Sequence, residues 1–259
     1  MEVITTITEL RDRLAREPKV ACVPTMGNIH DGHLSLVKLG QQHAPLTLTT
    51  IFVNRLQFGA GEDFDKYPRT FQEDCDKLNA AGNHIVFHPG EKEMYPEPQA
   101  FFVDPPSVSA KLGGRFRPGH FRGVCTVVLK LFNIVQPDVA VFGKKDYQQL
   151  AVIRHMVHQL ALPIRIVPAE TVRAEDGLAL SSRNRYLSAD ERREAPRLRE
   201  AMLGIQKAIL AGDRNFIAME YAAGALLALQ GFDTCCVQQG SAWGTTVDVV
   251  VGDEVERSR

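Results

Sequence analysis

Short runs of β-branched and other apolar residues alternate with longer amphipathic ones through the first two-thirds of the chain. Strand candidates are Val20–Val23, Leu46–Val53, His84–Phe87, Val139–Phe142 and Ile164–Val167. Between them, apolar positions recur at helical spacing at about Leu34–His43, Phe71–Ala81, Val124–Val135 and Tyr147–Ala161. This alternation predicts an α/β fold, a Rossmann-like parallel sheet with helices on both faces. Such sheets bind ligands beyond the carboxyl ends of their strands. The residues richest in chemistry follow Val23, Val53 and Phe142, at those ends.

After about Pro168 the pattern changes. Arg173–Leu187 reads as loop. Ser188 as N-cap with Glu191 at the third helical position predicts a capped helix running through Ala211, and a second helix spans about Arg214 to Gln230. The expected division is a Rossmann-like domain over residues 1–169 and a smaller α+β domain over 170–259.

Composition narrows the classes. The 259 residues are 44% hydrophobic and 24% charged, ordinary for a globular protein. Thirty basic and 31 acidic side chains give a formal charge of −1, which asks for neither nucleic acid nor an anionic membrane as partner. Met1-Glu2-Val3-Ile4-Thr5 has no charged region leading into a long apolar one, and no apolar run is long enough to span a bilayer. Five cysteines (Cys22, Cys75, Cys125, Cys235, Cys236) with no C-x-x-C spacing argue against a disulfide framework or a zinc site. A cytoplasmic protein is expected.

The densest chemistry lies at Pro24-Thr25-Met26-Gly27-Asn28-Ile29-His30-Asp31-Gly32-His33, where a buried strand turns into a helix. A helix N-terminus favours anions, and glycines allow a ligand close to the backbone, so a phosphate site with two imidazoles competes with a simple tight turn. Asn54 and Gln57 end the second strand as neutral amides, suited to a hydroxyl- or carboxylate-bearing substrate or to capping the strand. Arg115, Arg117, His120 and Arg122 surround Gly119 and Gly123 in a candidate anion-binding loop. Gly143-Lys144-Lys145-Asp146 follows a strand, with a lysine for phosphate, an acid for ribose hydroxyls, and Gln149 one helical turn on. Ser181-Ser182-Arg183 can clamp phosphate, although alone it means little.

Taken in order, PTMGNIHDGH, FVNRLQF, YPRTFQEDCDKL, RPGHFRGV, FGKKDYQQL and DGLALSSRNRYLS resemble the pantoate–β-alanine ligases (pantothenate synthetases), from the N-terminus to about Phe232. The first and last are similar to the HIGH and KMSKS-type motifs of the wider nucleotidyltransferase superfamily. The resemblance implies a ligase that condenses pantoate with β-alanine at the expense of ATP, through a pantoyl adenylate, releasing AMP and pyrophosphate. It implies that Pro24, Thr25, Met26, Gly27, His30 and His33 bind ATP, with His33 at the proton-donor position. Gly143, Lys144, Lys145, Asp146, Val172, Leu180, Ser181, Ser182 and Arg183 would complete the nucleotide site. His33, His30, Lys145 and Arg183 would carry the catalysis, and Gln57 and Gln149 would hold pantoate. Arg117 and His120 would line the pantoate and β-alanine side. Magnesium is implied on ATP oxygens, with Glu73 and Asp74 as candidate outer helpers, and none of the five cysteines is needed. The resemblance further implies a homodimer, with Val124–Val135 offering a candidate buried or interface face, and a carboxyl domain acting as a lid. The sequence departs from the family's habit at Arg55 and Lys144 and over residues 233–259, where the usual closing strand is not found.

Overall fold

The computed structural model describes residues 1–62, 64–232, 237–240 and 248–251. Six parallel strands form one sheet: β1 (Glu2–Ile4), β2 (Val20–Thr25), β3 (Leu46–Ile51), β4 (Ile85–Phe87), β5 (Val139–Gly143) and β6 (Arg165–Ala169), in the order β1-β4-β3-β2-β5-β6. The helices between them are α1 (Ile7–Leu14), α2 (Asp31–Gln41), α3 (Phe71–Ala80), α4 (Glu91–Met94), α5 (Gly113–Phe116), α6 (His120–Val135) and α7 (Tyr147–Gln159). After β6 come α8 (Ala189–Glu194), α9 (Arg197–Leu210) and α10 (Phe216–Leu229), then an antiparallel pair, β7 (Val237–Gly240) with β8 (Asp248–Val251).

Alternating side chains explain why helices cover both faces. Val20 and Cys22 of β2, with Ala140 and Phe142 of β5, join a core with Leu10 of α1, Leu131 of α6 and Ile153 of α7. Their neighbours Ala21, Val23, Val139 and Val141 face the other way, onto Val37 of α2 and Leu78 of α3. A strand buried on both faces carries apolar residues at successive positions, as β2 does over Val20–Val23 and β5 over Val139–Phe142. A third apolar cluster, Ala201, Ile205, Met219, Ala223 and Leu227, is built from α9 and α10.

Several expectations need correction. The sheet gains β1, three residues paired in parallel with β4, and a helix before β2 whose Thr6 hydroxyl caps Glu9 N–H at 3.3 Å. The strand expected over Leu46–Val53 ends at Ile51. The helix expected from Val124 starts at His120, so the arginine-rich loop supplies its first turn. Its apolar face is spent on the intramolecular core, with Phe121, Val124, Val128, Leu131, Phe132 and Val135 all buried. The helix expected from Ser188 to Ala211 breaks into α8 and α9 at Pro196, whose ring cannot continue a helix interior. The Ser188–Glu191 capping box is present. Of the atypical residues 233–259, all but the two short strands, and with them Cys235 and Cys236, lie outside the described residues. Among the described residues, no helix is long and apolar enough to cross a membrane.

Candidate functional site

Three strand ends meet in the middle of the sheet. Because β2 lies between β3 and β5, the turns after Thr25, Ile51 and Gly143 open side by side. The chain passes from β2 to β3 on one side and later reaches β5 on the other, so the strand order reverses here.

The turn after β2 is held by its backbone. Thr25 hydroxyl donates to Thr50 O at 2.6 Å and accepts Gly27 N–H at 3.2 Å. Gly27 (φ +86°) and Asn28 (φ +52°) are both left-handed, a geometry glycine tolerates freely and asparagine better than most residues. The turn aims two successive N–H groups, of Asn28 and Ile29, at the carboxylate of Asp74 at 2.8 and 2.7 Å. Thr70 hydroxyl donates to the same carboxylate at 3.1 Å, and Lys77 ammonium donates to Ile29 O at 2.9 Å.

Two histidines then cap α2 reciprocally. His30 Nδ1 accepts Gly32 N–H at 3.1 Å, and His33 Nδ1 accepts His30 N–H at 3.4 Å. Each neutral ring spends its Nδ1 lone pair on the helix, which puts its proton on Nε2. The rings lie 4.1 Å apart. Burial, then the fields of His30 and Lys145, lower the His33 pKa to about 3. Burial and Lys145 likewise lower that of His30, with Asp31 opposing. Both imidazoles are therefore neutral Nε2–H donors at neutral pH, ready to meet phosphate oxygens without a proton having to arrive first.

After β3, a single 3₁₀ turn, Arg55–Gln57, carries Gln57 back toward β2. Gln57 Nε2 donates to Met26 Sδ at 3.3 Å, while its Oε1 accepts from Asn54 Nδ2 at 3.1 Å. This turn lies against α6 at Gly123, where a Cβ would come within 2.1 Å of Leu56 O, so only glycine fits. His120 Nδ1 bonds Gln57 O at 2.9 Å, and Arg117 reaches both His120 Nε2 at 3.3 Å and, bidentately, Glu62 at 3.0 and 2.5 Å. Burial opposes ionisation of Glu62, but the Arg117 guanidinium holds its carboxyl below the usual range. Burial and the same guanidinium lower His120.

The turn after β6 closes against the first. Val172 O accepts Leu180 N–H at 3.0 Å in a hairpin that continues into the 3₁₀ turn Ser182–Tyr186. Ser182 hydroxyl donates to Asn28 O at 3.2 Å, and Arg185 reaches Asn28 Oδ1 at 3.4 Å. Ser181 Oγ accepts Arg183 N–H at 3.3 Å, capping this turn.

The expected residues thus converge unevenly. His30, His33, Lys145, Met26, Gln57 and Ser182 share one region, with Leu180, Ser181 and Arg183 on the adjoining turn. Gln149 is half-buried in the first turn of α7, while Lys144 pairs with Glu170. Asp74 holds the histidine turn, with both of its oxygens bonded to the protein, while Glu73 is exposed. Among the described residues there is no group of three or more His, Cys, Asp or Glu placed to hold a metal. Cys22, Cys75 and Cys125 are buried free thiols. Sequence reasoning missed that Asp74 holds the histidine turn and that Glu62 pairs with Arg117; Thr70 and Asp74, four apart on a helix start, were the one local signal.

A family model described as pantoate-beta-alanine ligase matches residues 2–242, past Phe232 where the motif resemblance ends. A pantothenate synthetase of Nitrosospira multiformis is 56% identical over 234 residues, 90% of this chain and 84% of that one. Among solved structures, pantoate-beta-alanine (pantothenate synthetase) from Thermus thermophilus superposes with a TM-score of 0.90 at 43% identity, covering 97% of this chain and 94% of its own. The pantoate-beta-alanine ligase of Francisella tularensis, complexed with beta-gamma ATP and beta-alanine, gives a TM-score of 0.80 at 31% identity, covering 93% and 90%.

Proposed function

The chain belongs to the pantoate–β-alanine ligase family, and from that premise we propose how its residues make pantothenate. The protein condenses pantoate with β-alanine using ATP. A carboxylate is a poor acylating agent, and adenylation gives it a leaving group. The pantoate carboxylate attacks the α-phosphorus of ATP, displacing pyrophosphate. The β-alanine amine then attacks the activated carbonyl, the new C–N bond replaces the C–O bond to phosphate, and AMP leaves.

In this reading the neutral Nε2–H groups of His30 and His33 meet the phosphate oxygens as charge builds, with His33, at the family's proton-donor position, giving a hydrogen bond to the departing group. Lys145 and Arg183 add positive charge, and Ser181 and Ser182 add hydroxyl donors. Pro24, Thr25, Met26 and Gly27 let the nucleotide approach the backbone, Gly143, Lys144 and Asp146 flank its ribose and phosphates, the Val172 backbone meets adenine, and Leu180 closes on the phosphates with Ser181, Ser182 and Arg183. Gln57 and Gln149 orient pantoate, and Arg117 with His120 shape the pantoate and β-alanine side. Magnesium would be held on the ATP oxygens, where it would neutralise phosphate charge, since Mg²⁺ keeps several waters and takes few protein carboxylates.

One observation carries this reading: Ser182 donates to Asn28 O across 154 residues, joining the serine turn to the histidine turn at the strand-order reversal. Residues 1–169 act as the binding domain and 170–259 as a lid, a division supported by the separate cluster of α9 and α10. The chain works as a homodimer in a reducing cytoplasm, which sedimentation and fractionation check; the three buried free thiols fit that compartment. To test the reaction, purified protein is given ATP, pantoate and β-alanine, and products are separated. Equimolar AMP, pyrophosphate and pantothenate are expected. A product that retains the adenylate, or pyrophosphate released without pantoate, overturns the reading.

A further inference from the structure

Tyr95 lies outside every motif above, just beyond α4, yet it ends a hydrogen-bond chain that begins at the substrate side. Its hydroxyl donates to Asn54 Oδ1 at 2.8 Å. Asn54 is 1% exposed and fully engaged: its Nδ2 donates to Gly123 O at 3.2 Å and to Gln57 Oε1 at 3.1 Å. Gln57 in turn donates one Nε2–H to Met26 Sδ at 3.3 Å. Polarity along this chain is set at its buried middle. A main-chain carbonyl only accepts, so Gly123 O turns the Asn54 nitrogen toward itself and Gln57, and the Tyr95 hydroxyl, able to donate or accept, is left to donate to the Asn54 oxygen. An amide nitrogen at that place requires the Gln57 carbonyl to face it. Gln57 must therefore present its NH₂ group, a donor, to whatever lies on its open side.

We propose that Tyr95 is a positioning residue, which acts through Asn54 to fix the Gln57 amide as a donor toward the pantoate carboxylate and hydroxyls. The inference rests on the reading of Gln57 as a pantoate contact. A flipped Gln57 would turn its carbonyl oxygen on an anionic, acceptor-rich substrate, which repels it. Tyr95 is well suited to hold this polarity. Its ring packs against Phe52 with centroids 6.0 Å apart, and Lys130 Nζ sits 4.5 Å over its face. Burial, with Glu91 nearby, raises its phenol pKa, so the hydroxyl keeps its proton at neutral pH. Removing only the hydroxyl leaves the ring and its packing and orphans the buried Asn54 Oδ1, so the amide loses the partner that holds it from that side and its hold on Gln57 slackens.

The test is a double-mutant cycle of Tyr95→Phe and Gln57→Ala, with steady-state kinetics in each of the three substrates. Tyr95→Phe is expected to raise KM for pantoate about tenfold, leaving KM for ATP and β-alanine within about twofold. A purely structural tyrosine would shift all three together. In the Gln57→Ala background, Tyr95→Phe is expected to add no further change in pantoate KM, because its effect passes through that amide. An unchanged pantoate KM in Tyr95→Phe, or the same cost in both backgrounds, overturns the relay while leaving Gln57 as a contact. A wild-type pantoate KM in Gln57→Ala overturns the contact itself and the relay with it.

Discussion

Replacing Asp74 by asparagine removes one charge and one acceptor while keeping the side chain's size. In the native turn both carboxylate oxygens are in use, one by Asn28 N–H at 2.8 Å and one by Ile29 N–H at 2.7 Å, with Thr70 adding a third donor at 3.1 Å. An asparagine can accept only on its carbonyl side, so its NH₂ group faces one of the two backbone donors. A charge-assisted bond is worth about 1.5–3 kcal/mol, and an orphaned buried donor costs about 1–3 kcal/mol, so a loss of roughly 2–4 kcal/mol is expected. For a chain of this size that lowers Tm by roughly 4–16 °C, at about 2–4 °C per kcal/mol. The released turn carries His30 and His33, and a displacement of the order of 1 Å at a reacting group can cost ~10²-fold. Thermal unfolding and pyrophosphate release are measured on the same preparation. The expected pair is a lowered Tm and a kcat/KM for ATP reduced about 10²-fold. An Asp74→Asn enzyme with wild-type Tm and kcat/KM would show that the carboxylate does not hold the histidine turn.

Gly123→Ala places a methyl 2.1 Å from Leu56 O and 2.6 Å from Gln57 Cα, both backbone, so no rotamer relieves it. It should cost about 1–3 kcal/mol or more by denaturant unfolding and raise KM for pantoate, and a fully active, stable variant would refute that packing. His33→Ala should keep the fold by circular dichroism and cut turnover by about 10²–10³-fold, the size of one lost electrostatic donor; wild-type turnover would refute its role. Acid should destabilise the protein. His30, His33 and His120 all have lowered pKa values, so between the ordinary 6.5 and, for His33, about 3, the unfolded chain binds more protons than the folded one. Stability is then complete above about pH 6.5 and falls as pH drops, by at most about 1.4 kcal/mol per pH unit for each histidine. Unfolding midpoints that rise from pH 7 toward pH 5 would contradict this sign.

The sheet was legible where strands are long and apolar on both faces, as at Val20–Val23 and Val139–Phe142, because both sides are covered by helices. β1 leaves no such trace, since three residues carry no period and its place is decided by pairing with Ile85–Phe87. Pro196 marks a helix break that the amphipathic pattern on either side masks. At the site, the candidate ligand residues could be named because their residue types match the chemistry. The residues that hold them could not: Asp74 reaches back 46 positions to Asn28, and Tyr95 reaches 41 to Asn54. Such contacts exist only once the fold has brought the strand ends together, and a buried acid or tyrosine reads locally like any other helix-surface or loop residue.

Everything proposed for the site requires that pantoate is adenylated before β-alanine takes part. Exchange of radiolabelled pyrophosphate into ATP tests that order, with β-alanine left out. Exchange that requires pantoate, and that is suppressed when β-alanine is added and draws off the adenylate, is the expected result. Exchange without pantoate, or none until β-alanine is present, would contradict it.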